Sequence, residues 1–258
     1  MTVPADAEPR GGVVQPFLAH LDDLRRMLLW SIAALAVGMA AAVPLTPWIL
    51  KVLRAPLRGV VANPDQFLRT LEVTGAMSVA LQIIFWGGLL LAAPFILWAV
   101  GWFVFPGLTR AERRTVLSGL VFAVGLFAIG VLMGYFYALP AGLRVMLWFN
   151  TWLGLPVEFL QVADYIGFTL KLLLAFGLTF ELPVLLLLLG RIGIIRSAQL
   201  RQYRRHAIVI ILIIAMVITP TTDPFSQLLL AVPLILLYEI CIWLIWAKER
   251  ERNARQQA

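Results

Sequence analysis

The stretch ADYIGFTLKLLLAFGLTFELPVLLLLL, residues 163–189, is one of several long apolar runs that decide the fold. Only three of its residues are charged, and about 20 apolar residues are enough for a helix to cross a bilayer. Its apolar residues are continuous and do not alternate with polar ones. The stretch therefore predicts a transmembrane helix and not a strand of a membrane barrel.

The composition of the whole chain supports the same interpretation. Of 258 residues, 61% are apolar and 14% are charged, where an average soluble domain has about 25% charged residues. With a mean hydropathy of +0.90, the chain is neither disordered nor a soluble globular domain. We predict one all-α, polytopic membrane domain over residues 1–258, with tails at 1–14 and 248–258. Spans one to six are predicted at residues 27–43, 76–100, 116–139, 163–189, 207–219 and 226–247.

The distribution of Lys and Arg predicts the orientation. Fifteen of them flank the spans on one side and five on the other, while Lys171 lies inside span four. Because basic residues remain preferentially on the cytoplasmic side, both termini are predicted to be cytoplasmic. The net charge of +7 then reflects topology and attraction to anionic lipid. It does not indicate nucleic-acid binding, since the arginines form no patch interleaved with aromatic residues.

Two features predict how the spans pack. Span five has 13 residues between His206 and Pro220, or about 20 Å of helix, which is less than the thickness of about 30 Å of hydrocarbon. Its link to span six is also very short, so we expect a tight antiparallel hairpin. Gly130 and Gly134 form a GxxxG pattern in span three, which predicts close packing within the bundle.

Several site types are excluded by the residues present. The single cysteine, Cys241, cannot form an internal disulfide or a CxxC pair. His20 and His206 lie far apart in the sequence, and neither belongs to an HExxH pattern, so no metal set is visible. No lysine follows a glycine, which excludes a P-loop, and there is no GxSxG elbow. We expect no cofactor, no metal and no catalytic residue.

The polar side chains inside the predicted spans are candidate functional residues: Lys171, Glu181, Gln227 and Glu239. An ionisable group at the centre of a membrane helix costs about 2.5–3.5 kcal/mol, so it normally faces protein or water. Lys171 can also reach the outer surface along its own stem. Pro183 removes the backbone donor for the Thr179 carbonyl, which predicts a polar kink beside Glu181. Glu239 either has a function or packs at a helix–helix contact.

Residues 17–28, FLAHLDDLRRML, predict an amphipathic helix that leads into span one. Phe17, Leu21, Leu24 and Leu28 lie on one face. Asp22 and Asp23 lie off that face. They either pair with Arg26 on the surface or offer a carboxylate to a cationic ligand at the membrane surface.

Glu112 precedes span three. Thr109 and Glu112 fit a capping box, with Thr109 as the N-cap. A carboxylate has about four acceptor positions, so a cap does not exclude a second, ligand-binding role for Glu112.

These residues together resemble a known family. His20-Leu-Asp-Asp-Leu-Arg25 is similar to the HLxELR element of the TatC family, the multi-span core of the twin-arginine protein translocase. Further matches follow in order: RAPL at 54–57, the segment 103–113, FGLTFELP at 176–183 and TPTTDPFSQ at 219–227. The resemblance covers roughly residues 15–247. In one departure, the family usually has Glu at the position of Asp23, so the carboxylate here is one methylene shorter.

The resemblance implies a receptor for twin-arginine signal peptides of folded precursors in the cytoplasmic membrane of a prokaryote. It implies export driven by the proton-motive force with TatA- and TatB-like single-span partners, and a homo-oligomer within a larger complex in membrane lipid. The implied signal-binding residues are Asp23 and Glu112, supported by Leu24, Arg25, Phe103 and Arg113. It also implies that Glu181 lies on a concave face of the bundle, and that Pro56, Asp223, Phe225 and Gln227 lie on the periplasmic side.

Elementary chemistry agrees with the two carboxylates. Two guanidinium groups are best bound by two carboxylates in planar, bidentate pairs, and lysine does not reproduce that geometry. The principal alternative is a secondary transporter of ions or small solutes, for which Lys171 and Glu181 are suitable. A transporter usually has inverted repeats with paired broken helices, and none is visible. An intramembrane enzyme lacks any nucleophile–base set.

Overall fold

The computed structural model describes residues 14–61, 63–104, 110–155, 157–192, 195–218 and 224–257. Within these ranges, side chains are described except at 14–20, 64–65, 102, 104, 110–118, 191–192, 218, 226 and 251–257. The described chain is almost entirely helical. Five of its helices are long and apolar enough to cross a membrane, and they correspond to predicted spans one, two, three, four and six.

Span one is longer than predicted at both ends. Helix α1 (Val14–Arg54) has 41 residues, so the amphipathic segment and the span are one continuous helix. The predicted end at residue 43 is wrong, because the helix continues through Pro44 and Pro47. Each proline removes one backbone donor, but the flanking bonds persist because backbone groups in lipid must stay paired. The Thr46 hydroxyl also donates a hydrogen bond to the Ala42 carbonyl at 2.8 Å.

The loop after α1, residues 55–74, is called loop one. It contains a 3₁₀ turn (Ala55–Gly59), the short helix α2 (Pro64–Phe67) and strand β1 (Leu68–Arg69). Strand β1 pairs in parallel with β2 (Leu160–Gln161), with Leu68 opposite Leu160. The sequence did not predict this pair. It forms because the loops before spans two and four both lead into helices that start at the same membrane end.

Spans two and three each contain a π-helical turn. Span two consists of α3 (Gly75–Gln82), a π turn (Ile83–Gly87) and α4 (Gly88–Val104). Span three consists of α5 (Arg110–Met133), a π turn (Gly134–Ala138) and α6 (Leu139–Trp152). The predicted end of span three at residue 139 is wrong, since the helix continues from the π turn through Pro140 to Trp152.

Span four is broken as predicted. Helix α7 (Val162–Thr179) ends in a turn, and α8 (Leu182–Ile192) begins after Glu181. Pro183 cannot donate to the Thr179 carbonyl. The Glu181 amide instead bonds the Leu178 carbonyl, three residues back, at 3.1 Å. The predicted kink is therefore confirmed.

The last part of the chain contains α9 (Ser197–Gln202), α10 (Arg204–Ile218) and α11 (Pro224–Gln257). Helix α10 has 15 residues, about 22 Å, so the helix at predicted span five is short, and it packs on α11. That it crosses the membrane stays a prediction. The helix of span six extends beyond the predicted span end at residue 247, because α11 continues to Gln257. Residues 248–257 are mostly Lys, Glu, Arg, Gln and Ala, all good helix formers.

Helix α7 lies at the centre of the bundle. In the most apolar stretch of span four 56% of the residues are buried, against 11% in span one, which lies at the periphery. The GxxxG glycines let α5 approach α7: a Cβ on Gly130 would lie 2.6 Å from the Phe176 carbonyl oxygen, and one on Gly134 would lie 3.2 Å from the Phe176 side chain. The predicted packing within the bundle is confirmed.

Candidate functional site

The segment of α1 around the first candidate carboxylate, Asp23, is exposed. Asp23, Leu24 and Arg25 are all exposed, as is Asp22. Among the described side chains, neither aspartate forms an ion pair with Arg26 within 4.0 Å. The surface-pair alternative is therefore not seen among the described side chains, where the Asp23 carboxylate is exposed.

A close helix crossing sets the level of Asp23 relative to span two. A Cβ on Gly38 would clash with the Gly88 carbonyl oxygen, and a Cβ on Gly88 would lie 2.7 Å from the Met39 Cα. Helices α1 and α4 are antiparallel, since one loop region joins the two spans. Asp23 lies 15 residues before Gly38, and Phe103 lies 15 residues after Gly88. Both are thus about 22 Å from the crossing, at the same membrane end.

The start of span three lies at this end too. A Cβ on Gly101 would clash with the Leu120 side chain, so the end of α4 packs on α5. Glu112 lies eight residues before Leu120, about 12 Å further toward this end. Helix α5 begins at Arg110, which puts Glu112 at its third position.

Some predictions on this segment lie outside the described residues. The side chains of Glu112 and Arg113 are among these, and so is Thr109. The capping box therefore stays a prediction. At the backbone level, the described helices bring positions 23, 103 and 112 to one end of the bundle.

Glu181 lies at the break in span four. It is 9% exposed. Its Oε1 atom and the Thr179 hydroxyl are buried and have no hydrogen-bond partner among the described residues. The break is enclosed by span three and α11, because Phe180 packs against Gly130 and the Cys241 thiol lies 3.7 Å from the Pro183 carbonyl. Unpartnered polar atoms inside a bundle are costly, and the functional role of Glu181 stays a prediction.

Lys171 is exposed, and its Nζ lies 5.5 Å from the centre of the Trp86 ring. A cation–π contact of this kind stabilises a lysine at membrane depth. Gln82 lies one helical turn before Trp86 and packs against Gly167, one turn before Lys171. The Gln82 Oε1 atom is buried and has no hydrogen-bond partner among the described residues. Gln82 and Trp86 also line a shallow groove of about 540 Å³ along α3.

The other two polar candidates join α10 to α11. Gln227 donates from Nε2 to the Leu212 carbonyl at 2.9 Å. Glu239 forms an ion pair with Arg204 at 2.8 Å. These contacts confirm that Glu239 lies at a helix–helix contact, and they give Gln227 a structural role in the hairpin.

Pro56 frees a carbonyl that another span then uses. The α-helical partner of the Val52 carbonyl is the N–H of residue 56, which proline lacks. The Tyr135 hydroxyl donates to this carbonyl at 2.7 Å. The Tyr165 hydroxyl donates to the next carbonyl, that of Leu53, also at 2.7 Å.

These two tyrosines tie the end of α1 to spans three and four, and sequence reasoning missed them. The only sequence signal for these contacts is Pro56, whose missing N–H frees a carbonyl nearby.

One remaining candidate of the predicted periplasmic side, Phe225, lies in the first turn of α11. Phe225 is 38% exposed, and Asp223 lies outside the described residues. Within the described part of the chain, no group of three His, Cys, Asp or Glu side chains could hold a metal ion.

Comparisons with known proteins agree on one family. A family model described as "Sec-independent protein translocase protein (TatC)" matches residues 19–233. A TatC protein of Deinococcus radiodurans is 37% identical over 247 residues, covering 93% of this chain and 91% of the relative. One from Aquifex aeolicus is 35% identical, covering 94% of this chain and 100% of the relative.

The fold matches solved structures as well. A crystal structure of the twin arginine translocase receptor TatC in DDM superposes with a TM-score of 0.77 at 36% identity. It covers 87% of this chain and 98% of that chain. A second crystal structure of the same receptor has a TM-score of 0.76.

Proposed function

This chain belongs to the TatC family of Sec-independent protein translocase proteins, and from that premise we propose that it is the twin-arginine signal-peptide receptor and core subunit of a Tat translocase. Its membership makes it a multi-pass membrane protein of a prokaryote. The cytoplasmic membrane is its location in this proposal, with both termini on the cytoplasmic side.

Asp23 and Glu112 bind the two signal arginines in this proposal. The observation that carries it is the exposed carboxylate of Asp23, which forms no ion pair with the described side chains and lies at the same level of the bundle as Phe103. Glu112 lies in the first turn of α5, where a carboxylate is also favoured by the helix dipole. Partial desolvation at the membrane surface raises the contribution of each carboxylate–arginine pair to binding above the roughly 0–1 kcal/mol of an exposed ion pair.

Leu24, Arg25, Phe103 and Arg113 complete the surface around the two carboxylates. Leu21, Leu24 and Leu28 are 43%, 41% and 55% exposed. An apolar strip therefore runs from Asp23 toward the membrane, along which the apolar part of a signal can lie.

Membership of the family implies the partners of this chain in the proposed translocase. These are TatA- and TatB-like single-span subunits, folded precursors, membrane lipid and further copies of this chain. Transport is driven by the proton-motive force. The chain binds and conducts cargo without catalysing a reaction.

The test is site-specific crosslinking of a twin-arginine signal peptide in native membranes, with probes at Leu24 and Phe103. A twin-lysine peptide serves as the ligand control. We expect crosslinks at both positions, reduced at least about tenfold by twin-lysine or by Asp23→Asn. That factor corresponds to loss of about 1.4 kcal/mol of binding. Asp23→Glu should retain them.

Asp22→Asn is the matched variant, because it removes the same charge from a neighbouring exposed position. We expect it to leave the crosslinks within about twofold. Equal losses of crosslinking in the Asp22 and Asp23 variants would show that both residues act only through their general negative charge. Crosslinks that do not depend on the arginines, with solute uptake by the purified chain, would instead favour the transporter.

A further inference from the structure

A cluster of two arginines on one tryptophan has no part in the proposed receptor site. The Arg201 guanidinium lies 5.9 Å from the centre of the Trp246 ring, and the Arg250 guanidinium lies 5.6 Å from it. Arg201 belongs to α9, and the other two residues belong to α11. We call these three residues the Trp246 cluster.

Hydrogen bonds between α9 and α11 fix the position of Arg201 before a ligand binds. The Ser197 amide donates to Oε1 of Glu249 at 3.1 Å, and the Ser197 hydroxyl donates to Oε2 of the same carboxylate. The Tyr238 hydroxyl donates to the Leu200 carbonyl at 2.8 Å. Glu249 thereby caps the start of α9, and Arg201 follows Ser197 by one turn.

The positive charge of the cluster is not neutralised within the described side chains. Neither Arg201 nor Arg250 forms an ion pair there. The nearby Arg204 is paired with Glu239, and Glu249 already accepts two hydrogen bonds from Ser197. Arg201 and Arg250 are both exposed, and each keeps several N–H donors for a ligand.

The position of Trp246 along α11 puts the cluster at the membrane surface. The apolar run of span six ends at residue 247, and charged residues begin at Lys248. Tryptophans are enriched at this boundary. Trp243, 63% exposed, lies one turn before Trp246 on the membrane side, with the two ring centres 6.3 Å apart, and offers apolar surface to an acyl chain.

We propose that the Trp246 cluster is a binding site for the phosphodiester headgroup of an anionic phospholipid. Two guanidinium groups bind a phosphodiester through charge-assisted hydrogen bonds, and basic pockets between membrane helices are suited to lipid headgroups. A lipid fits better than a soluble anion, because the adjoining apolar surface accommodates its chains. The site lies in the cytoplasmic leaflet under the proposed topology.

The test is native mass spectrometry of the full chain in detergent, titrated with phosphatidylglycerol. Phosphatidylcholine and inorganic phosphate are the comparison ligands. We expect phosphatidylglycerol to bind at least about tenfold more tightly than phosphatidylcholine, and inorganic phosphate in millimolar amounts not to displace it. Equal binding of both lipids, or displacement by phosphate, would overturn the proposal.

Variants locate the site. Arg201→Gln and Arg250→Gln should each weaken binding of phosphatidylglycerol about fivefold, the factor that corresponds to the roughly 1 kcal/mol contributed by one basic residue near an anionic surface. Arg205→Gln is the matched control, because it removes the same charge from an exposed position of α10, and it should change binding less than twofold. Thermal unfolding in detergent shows that each variant is folded.

Glu249→Ala separates a built site from general attraction. The variant removes a negative charge beside the cluster, so general attraction alone predicts tighter binding. Because Glu249 holds α9, we expect weaker binding, by about fivefold. Tighter binding in Glu249→Ala, or equal losses in the Arg201 and Arg205 variants, would show that lipid binds by net charge and that the cluster is not a site.

Discussion

Tyr135→Phe tests whether a single hydroxyl completes the end of span one. The hydroxyl of Tyr135 donates to the Val52 carbonyl at 2.7 Å, and Pro56 leaves that carbonyl without its α-helical donor. Phenylalanine keeps the ring and removes only the hydrogen bond. The variant therefore leaves a half-buried carbonyl without its donor from span three.

The expected loss can be bounded from both sides. A buried group left without its partner costs about 1–3 kcal/mol. Interhelical hydrogen bonds in membrane proteins have averaged about 0.6 kcal/mol in double-mutant cycles. Because Tyr135 is only half-buried, we expect the free energy of unfolding to fall by about 1 kcal/mol.

Pro56→Ala provides the second arm of a double-mutant cycle. Alanine restores an N–H at position 56, four residues after Val52, and this group can bond the Val52 carbonyl. In that background, Tyr135→Phe should cost less than about 0.5 kcal/mol, since the carbonyl keeps a donor.

The assay is unfolding of the full chain in mixed micelles by increasing SDS. The control is Tyr137→Phe, on the same π turn, where the side chain is 74% exposed and makes no hydrogen bond to the described residues. Equal losses for the Tyr135 variant with and without the Pro56→Ala substitution would refute the reasoning. So would equal losses for the Tyr135 and Tyr137 variants.

Two further predictions concern helix packing. Gly38→Ala should destabilise the protein by about 1–3 kcal/mol, because the new methyl group meets the Gly88 backbone. Gly125→Ala, which meets nothing within 4 Å, should be tolerated, and similar SDS midpoints for the two variants would contradict this account. Gln227→Leu should accelerate amide hydrogen exchange in α10 about threefold, since its bond to the Leu212 carbonyl is worth roughly 0.6 kcal/mol. Unchanged exchange would show that this bond does not hold the hairpin.

Features that depend on neighbours along the chain were predictable. The kink at Glu181 follows from Pro183 alone, because a missing N–H acts on the carbonyl four residues earlier. The shortness of predicted span five follows from the 13 residues between His206 and Pro220. The GxxxG pattern predicted close packing, although the sequence did not show that Phe176 is the residue it meets.

The ends of helices were predicted less well. Span one was predicted to end at residue 43, yet α1 continues through Pro44 to Arg54. A proline removes one hydrogen bond, and the lipid environment favours keeping all the others. Likewise, the charged tail indicated where span six leaves the membrane, but it did not indicate where α11 ends. Charge sets the membrane boundary, whereas helix propensity sets the end of the helix.

The sequence by itself determined that the chain spans a membrane, how its helices are ordered, and which family it belongs to, because apolar run length and short motifs are local properties. Only the tertiary structure decided which distant groups meet. It brought position 103 level with Asp23 through the Gly38–Gly88 crossing, bonded Tyr135 to the Val52 carbonyl, and joined Arg201 to Trp246. Such contacts depend on helix register and crossing, which are fixed by packing across the whole bundle and leave no local signal in the sequence.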